Sequence, residues 1–124
     1  MAAADSSSLI AFFQGDSGSD VDLLIASLQA GELCISPVVL TEVLSEPNVK
    51  PDQANLIRQI PMLEMSDGYW LRAATNRRKL LSIKLRARLP DTLIAQASID
   101  HDMTLITRDG DFRHFAKHCG LKLA

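Results

Sequence analysis

Hydrophobic residues in this chain come in short runs that alternate between two spacings, with Gly, Pro, Ser and Asp between them. Met1 to Ala4 predicts a short strand, and SSLIAFFQ (Ser7–Gln14) has helical spacing. Val21 to Ala30 predicts a second helix, ended by Gly31. ELCIS (Glu32–Ser36) predicts a strand, and PVVLTEVLSE (Pro37–Glu46) a helix with Pro37 in its first turn. Pro51 to Ile60 follows as a helix, then MLEM (Met62–Met65) as a short buried strand. Ser66 and Asp67 are candidate caps for a long helix through YWLRAATNRRKLL (Tyr69–Leu81). Asp91 to Asp100 predicts a helix, MTLIT (Met103–Thr107) a strand, and DFRHFAKHC (Asp111–Cys119) a last helix closed by Gly120. LKLA (Leu121–Ala124) is a candidate edge strand.

Strands that alternate with helices imply an α/β fold with a mainly parallel central sheet covered on both faces. No repeat or linker divides the chain, so residues 1–124 are expected to form one domain. Ligands of such sheets bind beyond the carboxyl ends of the strands, which makes strand-end residues informative. The first strand is almost entirely alanine, a poor strand former, so weak pairing is expected there.

Composition narrows the classes. The formal net charge of −2 favours neither nucleic acid nor membrane as a partner of the whole surface. Two cysteines, Cys34 and Cys119, do not make a disulfide framework in 124 residues. MAAADSSS has neither the basic start nor the apolar stretch of a signal peptide, and no run reaches the length of a membrane span. The expectation is a cytoplasmic protein with no membrane contact.

Chemistry-bearing residues collect at the strand ends. Asp5 follows the first strand, Glu42 lies in the helix after the second, and Asp91 opens the penultimate helix. Asp109 follows the MTLIT strand, with Asp111 two residues on. Singly, these read as helix caps, turn residues and solvated helix positions. Converging at one edge of a sheet, they would repel one another unless a cation compensated. An all-carboxylate pocket suits a hard divalent ion, Mg²⁺ or Mn²⁺, rather than zinc.

The order ADSSSLIAFFQGD, ISPVVLTEVL, LPDTLIAQASIDHDMTLITRDGDF resembles PIN-domain ribonucleases of the VapC toxin type over nearly the whole chain. The last block is the specific part. The resemblance implies a three-layer α/β/α sandwich and metal-dependent endonucleolytic cleavage of RNA. It places Asp5, Glu42, Asp91 and Asp109 at the metal-binding and catalytic acid positions, with Asp111 as competitor for the fourth. It also assigns supporting roles to Ser7 and Thr107, and implies a cognate antitoxin and a homodimer. Asp102 stands where this family usually has glycine.

The segment RAATNRRKLLSIKLRAR carries seven Lys and Arg and no acid. It reads either as a solvated face or as a phosphate-binding rim leading to Asp91, with Arg86 and Arg88 as the RNA-binding candidates. Asp111, outside this segment, is expected to cap the last helix at Phe112. His114 and His118 share a helix face without the further ligands a zinc site needs. Leu9, Phe12 and Phe13 are expected in the core, and any part left exposed would suit a partner's helix. Two other classes remain: a receiver-type signalling domain with Asp67 as phosphoacceptor, and a catalytically inactive PIN-like interaction module.

Overall fold

The computed structural model describes residues 1–124. Its four strands are Ala2–Ala4 (β1), Leu33–Cys34 (β2), Thr104–Ile106 (β3) and Lys122–Leu123 (β4), all parallel, in the order β2-β1-β3-β4. Between β1 and β2 lie α1 (Ser6–Phe13) and α2 (Ser19–Gln29). Four helices separate β2 from β3: α3 (Pro37–Leu44), α4 (Pro51–Gln59), α5 (Tyr69–Ser82) and α6 (Leu89–Asp100). After β3 come a 3-10 turn (Gly110–Phe112) and α7 (Arg113–Cys119). Helix α1 packs with α2 and α3, while α5 packs with α6 and α7. This is the expected α/β sandwich around a parallel sheet.

The alanine strand departs from expectation. Rather than pairing weakly, β1 sits in the middle of the sheet, with β2 on one side and β3 on the other. The amide of Ala2 donates to the Glu32 carbonyl at 3.0 Å, and that of Asp5 to the Ile106 carbonyl at 2.9 Å. Burial and two paired edges override intrinsic propensity, because strand preference mostly measures the fit of a side chain to its surroundings. Leu33, Ile35, Leu105 and Ile106 around it supply the bulk of the core that alanine lacks.

MLEM is not a strand. It contributes one parallel bridge, Met62 to Ile35, with the Leu63 amide donating to the Ile35 carbonyl at 2.8 Å. Ser66 and Asp67 do not cap α5 either. Gly68, with φ at 81°, occupies that position without a side-chain cap bond. The Ser66 hydroxyl is engaged elsewhere, accepting from Arg72 Nη2 at 3.0 Å and donating to Asp100 at 3.4 Å. Leu9 is fully buried, while Phe12 and Phe13 pack on the margin of the core and stay partly exposed. Asp102 adopts the left-handed conformation, φ 53°, consistent with the glycine-like position read from the sequence.

The strand order decides where a site can form. From β1 the chain proceeds to β2 on one side, and β3 returns on the other, so the carboxyl ends of β1 and β3 lie side by side at a switch point. Asp5 follows the first of these and Thr107 to Asp109 the second.

Candidate metal centre

Asp5 ends β1 and is the N-cap of α1, its carboxylate accepting from the Ser7 amide. It is buried, yet its Oδ2 is well supplied: the Ser7 hydroxyl donates at 2.6 Å and the Thr107 hydroxyl at 2.8 Å. Those two hydroxyls lie 3.2 Å apart, but each has a single hydrogen, and Asp5 takes both. Their lone pairs are filled in turn by backbone amides, Arg108 N on Ser7 and Asp109 N on Thr107. The loop after β3 is thus tied to the start of α1 through Asp5, which is the supporting role expected of Ser7 and Thr107. Oδ1 of Asp5 is left with only a long contact, 3.5 Å, from the Ser6 hydroxyl.

Ser6 is a residue that the sequence reading missed. Its hydroxyl donates to Glu42 Oε1 at 2.9 Å, joining α1 to α3 and linking Glu42 to Asp5. Burial pushes the Glu42 carboxyl above its ordinary value, the Ser6 hydrogen bond opposes this, the Asp5 charge adds to it, and Arg88 opposes it. No motif marks Ser6 apart from its neighbours in the DSSS run. Only the packing of α3 beside α1 gives it a partner 36 positions away.

Asp91 does not cap its helix. Helix α6 starts two residues earlier, with Arg88 at the N-cap and Pro90 in the first turn, which leaves Asp91 within that turn. Its carboxylate accepts no hydrogen bond from the protein and meets only Arg88, Nε to Oδ2 at 3.5 Å. Its pKa is pushed up to about 6, mainly by burial, with Arg88 opposing and the charges of Asp109, Asp5 and Asp111 adding to the rise. This is a carboxylate held against its preference, as desolvation and like charge require.

The cap expected of Asp111 falls to Asp109, and it caps the 3-10 turn rather than α7, which follows Phe112 without a side-chain cap. Asp109 is the capping residue, its Oδ1 accepting from the Asp111 amide at 2.9 Å, whereas the Asp111 carboxylate turns to Arg88 Nη2 at 3.2 Å. The reason is the 3-10 turn, which begins at Gly110 and sets the cap one residue after Arg108. Carboxylate oxygens of Asp91, Asp109 and Asp111 all lie within 4.8 Å of one another. The fold therefore draws these three into one cluster. Asp5 and Glu42 stand outside it as a second pair, joined by Ser6 and coupled to it through their charge.

Behind this loop stands a lock that sequence reasoning also missed. Arg108 forks onto Asp20, Nε to Oδ2 at 2.9 Å and Nη2 to Oδ1 at 3.0 Å, and the Ser8 hydroxyl donates to Asp20 at 2.7 Å. The Arg108 hydrogen bonds hold the Asp20 carboxyl down at about 2. With 88 positions between them, nothing local announces this pair.

The basic segment is not a continuous rim. Arg72 is locked to Asp100 at 2.6 Å, Arg77 donates to the Ala87 carbonyl, and Lys79 donates to the His118 carbonyl. A helix spreads consecutive charges around its circumference, so three of the seven serve α5 and its neighbours. Only Arg86 and Arg88, beyond its end, reach the acids, Arg86 Nε lying 3.7 Å from Asp111.

The triad Asp91, Asp109 and Asp111 suits a hard divalent cation: its donors are all carboxylate oxygens, converging and partly desolvated. The family model described as PIN domain matches residues 2–118 of the chain. No curated protein matches it in sequence. Among solved structures, the fold is similar to a chain of VapBC2 from Rickettsia felis bound to a DNA fragment from its promoter, with TM-score 0.76, 19% identity, and 98% of this chain and 96% of that one covered. A chain of a toxin–antitoxin complex from Klebsiella pneumoniae gives TM-score 0.68 at 23% identity, covering 98% and 95%. A chain of FitAB bound to an IR36 DNA fragment gives 0.71 at 18%, covering 100% and 94%.

Proposed function

The chain belongs to the PIN-domain family, and from that premise we propose that it is a metal-dependent endoribonuclease, the toxin of a type II toxin–antitoxin pair. The observation that carries this reading is Asp91: a partly buried carboxylate without a hydrogen-bond donor, raised to about 6, facing two further aspartates within 4.8 Å. Such an arrangement is unfavourable in an empty pocket and favourable around a cation. The receiver-type reading falls with the family assignment.

In the proposed site Asp5, Glu42, Asp91 and Asp109 hold Mg²⁺ or Mn²⁺, and Asp111 joins them on the strength of its place in the cluster. A bound divalent ion supplies Lewis-acid chemistry, making water a stronger nucleophile and offsetting charge on a phosphodiester. The chain's own residues prepare the ground for that. Ser7 and Thr107 fix one oxygen of Asp5, the Ser6 hydrogen bond opposes the upward shift of Glu42, and the Arg108–Asp20 fork steadies the loop that carries Asp109. Arg86 and Arg88 supply positive charge beside the acids for the RNA backbone.

Partners are part of the proposal. Trp70, Leu71, Leu81 and Leu89 are large apolar side chains left exposed, and Trp70, Leu81 and Leu89 border a groove of about 670 Å³ between α5 and α6. Surface of this kind marks an interaction site, consistent with an antitoxin and a homodimer. The three similar structures come from complexes of toxin–antitoxin type or of proteins bound to DNA, which supports the antitoxin. No helix is long and apolar enough to cross a membrane, and the proposed substrate places the protein in the cytoplasm.

The test is incubation of pure protein with structured and unstructured RNA in Mg²⁺, Mn²⁺ or EDTA. Cleavage is expected only with the ions, leaving the 5′-phosphate ends that the family resemblance implies for hydrolysis by water. Full activity in EDTA, or 2′,3′-cyclic ends, would refute the mechanism. Ion binding without cleavage of any RNA would favour the inactive PIN-like module.

A further inference from the structure

Four arginines in this protein pair with aspartates, Arg86 by a single contact and the other three in two different ways. Arg72 on Asp100 makes contacts of 2.6 and 3.0 Å, and Arg108 on Asp20 contacts of 2.9 and 3.0 Å. Both are forks on a single carboxylate, the geometry of a built lock. Arg88 differs. Its guanidinium straddles three carboxylates at longer range, Nη2 at 3.2 Å from Asp111 and 3.6 Å from Asp109, and Nε at 3.5 Å from Asp91. Those three acids are the ones that cluster within 4.8 Å of one another.

We propose that Arg88 is a resident counter-charge that stands in for the cation, competes with it, and on displacement becomes a positioning residue for the substrate phosphate. This rests on the proposed metal site. The positive charge of the guanidinium occupies the shared surroundings of the triad, where it reduces like-charge repulsion without satisfying any one carboxylate fully. A divalent ion on the same oxygens brings like charge beside it, and the two cannot both hold those contacts. Nothing else retains the side chain, which is half exposed. The backbone stays put, because the Arg88 carbonyl accepts from both the amide and the hydroxyl of Thr92, each at 2.9 Å. A fixed root and a loosely held tip allow the guanidinium to leave the acids and remain above them, where an incoming phosphate offers the fork that the straddled carboxylates do not. Arg86, with one contact at 3.7 Å, lacks this arrangement and serves as the control.

The experiment measures Mn²⁺ affinity by calorimetry and by the electron paramagnetic resonance of free ion, for the parent, Arg88→Gln, Arg88→Lys and Arg86→Gln. Removing the resident charge is expected to tighten Mn²⁺ binding by roughly 3- to 30-fold, the combined scale of three weak exposed ion pairs. Arg88→Lys should fall between parent and Gln, keeping the charge and losing the span, and Arg86→Gln should change affinity less. At saturating Mn²⁺ the same Arg88→Gln protein should show a raised KM for single-stranded RNA, and a salt slope smaller by about 0.7. A merely structural role for Arg88 would weaken ion binding and substrate binding together; opposite directions are the signature. Mn²⁺ affinity unchanged or weakened in a folded Arg88→Gln protein would overturn the inference and leave the metal site standing. A parent that binds no Mn²⁺ would remove both. Circular dichroism establishes folding, and a misfolded Gln variant leaves the decision to Arg88→Lys, which must bind Mn²⁺ more tightly than the parent.

Discussion

Asp91→Asn tests whether the acid cluster is held at the expense of stability. Asparagine has nearly the shape of aspartate but no charge, so the substitution isolates the electrostatic penalty. The Asp91 carboxyl rises from 3.8 to about 6, and two units at about 1.36 kcal/mol each give roughly 3 kcal/mol of unfavourable charge. The side chain is still 14% exposed and faces an arginine, so screening reduces this to about 1–2 kcal/mol. The sign follows from linkage. A carboxyl raised above its unfolded value favours the fold at low pH, and that contribution is lost as pH climbs through about 6. In EDTA the variant should therefore match the parent below about pH 4 and exceed it above pH 7, by roughly 3–8 °C in Tm for a domain of this size. Adding Mn²⁺ should reverse the order, since only a protein that binds the ion gains from it. RNA cleavage should fall by about 10²–10³ or more, the scale of losing one transition-state electrostatic contact. Differential scanning calorimetry in EDTA and in Mn²⁺, at several pH values, reads both effects. A variant no more stable than the parent in EDTA at pH 7.5 would refute the claim that Asp91 is ionised against its surroundings.

Two further outcomes follow from the supports of the site. Ser6→Ala removes the hydrogen bond that opposes the upward shift of the Glu42 carboxyl, so the variant's Mn²⁺ affinity should fall below the parent's at low pH and approach it as pH rises; a gap that does not change with pH would show that the hydroxyl does not act through the charge of Glu42. Asp20→Asn breaks the fork with Arg108, and because the Asp20 carboxyl is lowered to about 2, its stabilising contribution is present above about pH 4 and lost as pH falls through 2. The variant should thus melt below the parent at pH 7 and level with it near pH 2, and a constant gap between the two would assign the loss to packing instead.

What the chain determined by itself is whatever depends on nearest neighbours along it. The periods of SSLIAFFQ and MTLIT select helix and strand, Pro37 and Pro90 sit in first turns, and helices between every two successive strands select a parallel sheet. Asp5 and Asp109 were legible as strand-end acids because the strands before them were legible. The failures are equally local in origin. MLEM has the look of a strand, but it makes a single bridge, Met62 to Ile35, just beyond the end of β2. Asp111 has the look of a cap, yet a 3-10 turn begins at Gly110 and puts the cap two residues earlier, at Asp109. Tertiary structure alone decided which charges meet. Arg108 and Asp20 are 88 positions apart, Ser6 and Glu42 36, and Arg88 and Asp111 23; no propensity or period encodes such pairs. They arise because β1 and β3 end side by side and α3 and α6 pack near them, so acids with unremarkable surroundings in sequence become a crowded, partly dry cluster in space. Electrostatic energy depends on distance and burial, and both exist only once the chain has folded.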